Sequence, residues 1–177
     1  MNIFVIGLNH KTANVEVRER LAFNGPKLEE GLLGLRKIPE IKEVALLSTC
    51  NRVEIYACVN NVAVTSENIK NFLSNFHQIE RGLFDKSLYQ HVDSDGIRHV
   101  FRVAASLDSM VVGEPQILGQ LKDTFDFALS KKTTGIILNR LFKKSISVGK
   151  RVRTETRIAE NAVSISFAAV ELAKKIF

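Results

Sequence analysis

Apolar residues in the first half of the chain fall in short runs separated by polar turns. Ile3, Phe4, Val5 and Ile6 run together before Asn9-His10-Lys11-Thr12, which predicts a buried strand over 2–8 and a polar exit loop. Residues 14–23 and 26–37 carry helical patterns, and Pro26 suits the first turn of the second helix. A buried strand follows over 43–49. Another is expected over 53–59, where Val53, Ile55, Ala57 and Val59 alternate with Glu54, Tyr56 and Cys58. A helix over 65–76 and a short strand over 87–92 complete the order β-α-β-β-α-β, a split βαβ or ferredoxin-like arrangement.

After Val92 the pattern is helical only. Asp93-Ser94-Asp95 offers capping residues for a helix running to Leu107, with Ile97, Val100, Phe101, Ala104 and Ala105 as its apolar stripe. Helices over 115–130 and about 135–156 come next. On the longer one Leu138, Leu141, Phe142, Val148 and Val152 share a side, and Gly149 permits close helix contact. A last helix opens near Asn161 and is still apolar at Ile176 and Phe177, with no Gly, Pro or polar cap to close it. The fold class is therefore α+β: a ferredoxin-like βαββαβ part, then an all-helical part ending in a truncated long helix. The expected units are 1–92, 93–160 and 161–177.

Composition narrows the setting more than the fold. Lys plus Arg number 25 and Asp plus Glu 19, so the net charge is 25 − 19 = +6. That excess suits polyanionic partners and also plain solubility. Two cysteines make no disulfide framework, which favours a reducing compartment. No apolar run approaches the roughly 20 residues that span a bilayer, and the N-terminus has neither a secretory nor a transit pattern. A cytoplasmic protein without a membrane partner is expected. The chain contains no Gly-x-Gly, hence neither a dinucleotide fingerprint nor a Walker loop.

The most informative stretch is Ser48-Thr49-Cys50-Asn51-Arg52-Val53-Glu54, a very short turn between two expected strands. Two readings of Cys50 stand: a small buried hydrophobe, or a nucleophile exposed in a polar turn with Arg52 near enough to favour the thiolate. Cys58 falls on the order of 20 Å down the strand, too far for a disulfide, and reads as structural. His99 projects on the helix face opposite the stripe, beside Arg98 and Arg102. It is either a solvated histidine or an imidazole facing a cleft opposite Cys50, suited to acid/base work. No histidine has a partner at metal-ligand spacing, so no metal site is expected.

Two further features have paired readings. Ser109-Met110-Val111-Val112-Gly113-Glu114-Pro115-Gln116 leads into a helix on which Gln116 and Gln120 share a face. It is a wet loop or a recognition loop for a small polar ligand. Arg140, Lys143, Lys144, Lys150, Arg151 and Arg153 gather on the long helix, as a solvated face or as a surface that tracks nucleic-acid phosphates.

The segments GLNHKTA, LLSTCNRVEIY, SLDSMVVGEPQILGQ, GKRVRTET and AVSISFAAVELA together closely resemble the glutamyl-tRNA reductase family over essentially the whole chain. The resemblance implies that a cysteine thiolate attacks glutamyl-tRNA to form a glutamyl thioester, which NADPH reduces to glutamate-1-semialdehyde for tetrapyrrole and heme synthesis. It implies that Cys50 is the nucleophile and that His99 orients substrate or moves protons. Thr49, Asn51, Arg52, Ser109, Glu114, Pro115, Gln116 and Gln120 would hold the glutamyl group. Family members continue into NADPH-binding and dimerisation domains; this chain reads as the catalytic domain with the start of the spinal helix. It is expected to form and hydrolyse the thioester without reducing it, to carry no cofactor itself, and to be a monomer where the full-length protein is a homodimer. The next enzyme of the pathway, glutamate-1-semialdehyde aminomutase, is an expected partner. The alternative is a non-catalytic RNA-binding or docking module, which has no need of a thiol in an intact STCNR turn.

Overall fold

The computed structural model describes residues 1–159, 170, 172–174 and 176. Strands β1 (Asn2–Asn9), β2 (Ile41–Ser48), β3 (Arg52–Val59) and β4 (Tyr89–Val92) form one antiparallel sheet in the order β2-β3-β1-β4. Helix α1 (Val15–Arg20) and α2 (Pro26–Arg36) connect β1 to β2, and α3 (Val62–His77) connects β3 to β4. This is the ferredoxin-like order read from the hydrophobic pattern. Helices α4 (Ser94–Ala104), α5 (Gln116–Ser130) and α6 (Ile136–Glu155) follow.

The alternation along β3 does not separate a buried face from a wet one: all eight of its residues are buried. Ile55 pairs with Leu46, against which Gly31 of α2 packs, while Tyr56 on the other face meets Phe142 of α6 edge-on. The second helical group therefore covers the face carrying Arg52, Glu54, Tyr56 and Cys58, and the charged groups on it are enclosed. Cys58 is fully buried, and burial pushes its thiol up to about 12, as befits a structural residue.

Several boundaries differ from the sequence reading for local reasons. Helix α1 ends at Arg20 rather than 23, because the chain turns down to β2, with Phe23 N–H donating to Ser48 Oγ at 2.9 Å. Two 3₁₀ turns, 81–83 and 85–87, occupy the approach to β4, which begins only at Tyr89. Helix α4 stops at Ala104 because Ser106 adopts a left-handed φ of 60°. Asp93 does not cap α4 with its side chain; its carboxylate accepts from Asn2 Nδ2 (2.8 Å) and Ile3 N–H (3.0 Å). On α6 Gly149 meets α4 directly: a Cβ there would lie 2.5 Å from the Ala104 carbonyl oxygen. The helix expected from Asn161 lies outside the described residues except at its last few positions, and the unit 161–177 is not described as a whole.

Candidate active site

The turn between β2 and β3 is built by Thr49. Its Oγ1 accepts the N–H groups of Asn51 (3.2 Å) and Arg52 (3.1 Å), and its own N–H donates to the Arg52 carbonyl at 2.8 Å. Such side-chain-to-backbone bonding is the mechanism of a tight turn. The turn is clamped from both sides: His10 N–H donates to the Asn51 carbonyl (2.9 Å) and Arg18 Nε to the Cys50 carbonyl (3.2 Å). Cys50 at its tip is a free, exposed thiol.

Above the turn the chain from Ala105 to Pro115 forms a compact loop. Ser106 Oγ donates to the Glu114 carbonyl (2.7 Å), Gly113 N–H to the Ser106 carbonyl (3.1 Å), and Arg153 of α6 to the Glu114 carbonyl (3.3 Å). Gly113 has a φ of 88°, which a residue with a Cβ rarely adopts. Thr49, Cys50, Asn51, Arg52, Ser109, Glu114, Gln116 and Gln120 come together around one cleft, with Met110 and Ile117 added to its walls. Pro115 sits instead at the start of α5, outside the lining. The free space in this cleft is about 10 Å³, enough for about one water.

His99 is not on an open helix face. It is buried on α4 with Gly96, Val100, Val103 and Ala104, while Ile97, expected in the stripe, is 37% exposed. The helix is rotated because a carboxylate lies beneath it: His99 Nε2 is 2.9 Å from Glu54 Oε1. Glu54 also receives the hydroxyls of Tyr56 and Tyr89 and the guanidinium of Arg52 at 2.8 Å. The other terminal nitrogen of Arg52 donates to the Asp108 carbonyl (2.7 Å) and pairs with its carboxylate (3.2 Å), which Lys11 Nζ holds at 2.7 Å. Arg52 is 1% exposed, and both of its terminal nitrogens are engaged in this network while it also lines the cleft. Gly7, opposite Glu54 in the register, leaves no room for a side chain there: a Cβ would come within 2.8 Å of Glu54 Cγ.

Burial by itself raises the Glu54 carboxyl, but the His99 hydrogen bond and the Arg52 charge outweigh it and hold the group down at about 2. Burial works most strongly against the Arg52 charge, and only Glu54 together with Tyr56, Tyr89 and Asp108 outweighs it, leaving its pKa raised. Burial next to Glu54 pushes the Tyr89 hydroxyl up, so it stays a donor. His99 does not line the Cys50 cleft. It borders a separate hollow of about 430 Å³ with Tyr89, His91, Arg98, Arg102 and Asp108, and reaches the cleft through Glu54 and Arg52. Glu54, Tyr89 and Asp108 carry no sequence signal that marks them for the site. A carboxylate in an alternating strand reads as solvent-facing, and nothing local marks it otherwise.

Arg140, Lys143, Lys144, Lys150 and Arg151 are exposed along α6, Arg151 paired with Glu155. Arg153 is half-buried and bound to the loop above Cys50, so it is set apart from that face. Among the described residues no three His, Cys, Asp or Glu gather as a metal site, and no helix is long and apolar enough to cross a membrane.

An α+β domain that displays one thiol on a clamped turn, roofed by a polar loop and backed by a buried ion network, is suited to acyl transfer through sulfur. The profile of the family described as glutamyl-tRNA(Glu) reductase, N-terminal domain, matches residues 6–156, and the chain belongs to that family. It is 56% identical over all 177 residues to glutamyl-tRNA reductase of Citrifermentans bemidjiense and of Geobacter sulfurreducens, spanning 41% of the length of each. The solved glutamyl-tRNA reductase of Methanopyrus kandleri has the same fold over 98% of this chain and 39% of its own, with a TM-score of 0.75 at 36% identity.

Proposed function

We propose that this chain performs the acyl-transfer half of glutamyl-tRNA reductase chemistry. The Cys50 sulfur attacks the ester carbonyl of glutamyl-tRNA; the S–C bond forms, the C–O bond to the terminal ribose breaks, and the ribose oxygen takes up the thiol proton. The observation that carries this is the exposed Cys50 thiol sharing one cleft with Ser109, Glu114, Gln116 and Gln120, side chains rich in donors and acceptors for a glutamyl group. Because the cleft as it stands holds about one water, a glutamyl group enters as the loop over 105–115 moves aside. His99 does not touch the sulfur's cleft in this form. It acts as a positioning residue, fixing Glu54 and through it the guanidinium that walls the site.

The reducing step belongs to NADPH in the family-length enzyme. The described residues do not fit that cofactor: the sheet is wholly antiparallel and no Gly-x-Gly turn opens a helix, so no pyrophosphate cradle exists here. On this chain the thioester is hydrolysed. The exposed basic positions of α6 contact tRNA phosphates, which makes binding salt-dependent.

The test is intact mass after mixing the chain with glutamyl-tRNA at mildly acidic pH without NADPH, beside Cys50→Ser. A glutamyl adduct on the wild type alone, labile to hydroxylamine, is the expected result. Neither adduct nor consumption of glutamyl-tRNA, by this chain or by a family-length protein containing it, would sink the proposal.

A further inference from the structure

Cys50 borders a second space that the glutamyl cleft does not use. A hollow of about 260 Å³ is lined by Arg18, Glu19, Ala22, Asn24, Thr49 and Cys50. Arg18 of α1 is half-buried and fixed there by two carbonyls, Cys50 through Nε (3.2 Å) and Ala13 through one terminal nitrogen (2.7 Å). No carboxylate pairs with it among the described residues, and its other terminal nitrogen has no protein partner. Nor, among the described residues, do the Glu19 carboxylate and the Asn24 side-chain amide have a hydrogen-bond partner. A cation, an acceptor-only group and an amide thus face one space beside the nucleophile.

We infer that this hollow receives the terminal ribonucleotide of the tRNA, the leaving group of the acyl transfer, with Arg18 as its anchor. The inference rests on the function proposed above. An ester carbonyl has an acyl side and an alkoxy side. With the glutamyl chain among Ser109, Gln116 and Gln120, the alkoxy side falls toward the other space that Cys50 borders. The chemistry matches a nucleotide. A planar guanidinium with a free edge suits a phosphate or ribose oxygen, a carboxylate accepts from ribose hydroxyls, and an amide can read a base edge. The volume lies just under the roughly 300 Å³ where ligand pockets begin, so it takes one nucleotide rather than a stacked run. Held there, the ribose keeps the carbonyl against Sγ, and the thiol proton passes to the departing ribose oxygen as the C–O bond breaks.

The experiment compares two acyl donors in a family-length protein containing this chain: glutamyl-tRNA, and the 1-ethyl ester of glutamate, which has the same acyl group and no nucleotide. Acylation of Cys50 is followed by mass, and alkylation by iodoacetamide reports whether the thiol itself has changed. Arg18→Ala is expected to slow acylation from glutamyl-tRNA roughly tenfold to a hundredfold, the worth of one charge-assisted contact. Loss of the clamp on the Cys50 carbonyl lowers acylation from the ethyl ester and alkylation by a common factor; the loss with glutamyl-tRNA exceeds that factor by the stated amount, and Arg18→Lys recovers part of the excess. Equal losses with both donors would mean that Arg18 only shapes the turn, and no loss with either would mean the nucleotide lies elsewhere; both overturn the inference. If the wild type is acylated by neither donor while Cys50 still reacts with iodoacetamide, the proposed function fails, and this inference with it.

Discussion

Glu54→Gln removes one charge from the buried network and almost nothing from its shape. The amide keeps an oxygen for Arg52, Tyr89 and His99, and its NH₂ can donate to the Tyr56 hydroxyl, so the change isolates the electrostatic contribution. Two routes give its size. Removing one partner of a buried ion pair costs about 3–5 kcal/mol, and Asp108 remains as a counter-charge for Arg52, which places this case at the low end. Independently, a carboxyl held at about 2 rather than 4.5 contributes about 3 kcal/mol to stability at neutral pH. The sign follows from proton binding: between about pH 4.5 and 2 the unfolded chain takes up a proton that the native one refuses. The stabilisation is thus complete above about pH 4.5 and is lost as pH falls through 2. Urea unfolding of both proteins at pH 7, 4 and 2.5 should show the variant about 3 kcal/mol less stable at pH 7, with the gap closing in acid as the carboxyl of the unfolded wild-type chain takes up its proton. A gap under about 1 kcal/mol at pH 7, or one that does not change with pH, refutes the electrostatic account of this network.

Iodoacetamide should place one adduct on the native protein, at Cys50, with Cys58 reacting only after denaturation, since it is fully buried and its thiol is pushed up to about 12; peptide mass mapping reads this directly. Gly149→Ala forces a methyl group toward the Ala104 carbonyl of α4 and should cost about 1–3 kcal/mol, seen as a fall in Tm of several degrees. His77 is pushed down to about 4 by burial and by Lys27, so wild-type stability should fall as pH drops from 6.5 towards 4, and His77→Leu should flatten that part of the profile. Glu43→Ala should cost about 1–2 kcal/mol in urea unfolding, because its carboxylate accepts the N–H groups of Ile137 (3.1 Å) and Leu138 (2.7 Å) at the start of α6.

Much of the molecule is legible in its sequence. Periods of 2 and 3.6 along the chain set the order of strands and helices, and that order with antiparallel neighbours leads to β2-β3-β1-β4. The STCNR turn was legible because turn chemistry is local: Thr49 bonds to groups two and three residues away. Gln116 and Gln120 share the face that meets the cleft because a helix repeats every 3.6 residues. Gly149 was marked for close contact by its place in an apolar face.

Tertiary structure decided what lies on the other side of each element. Period 2 puts Arg52, Glu54 and Tyr56 on one face of β3, but only the docking of α4–α6 turns that face from a wet one into an enclosed one. Once it is enclosed, polar and charged groups 45 and 56 residues apart in sequence must find each other, as His99 finds Glu54 and Asp108 finds Arg52, since a buried polar group or charge without a partner is too costly to keep. The rotation of α4 that buries His99 and exposes Ile97, the capping of α6 by a glutamate 94 residues upstream, and the hollow beside Arg18 have the same origin. Propensity and periodicity are properties of neighbours along the chain, whereas desolvation depends on what packs across it.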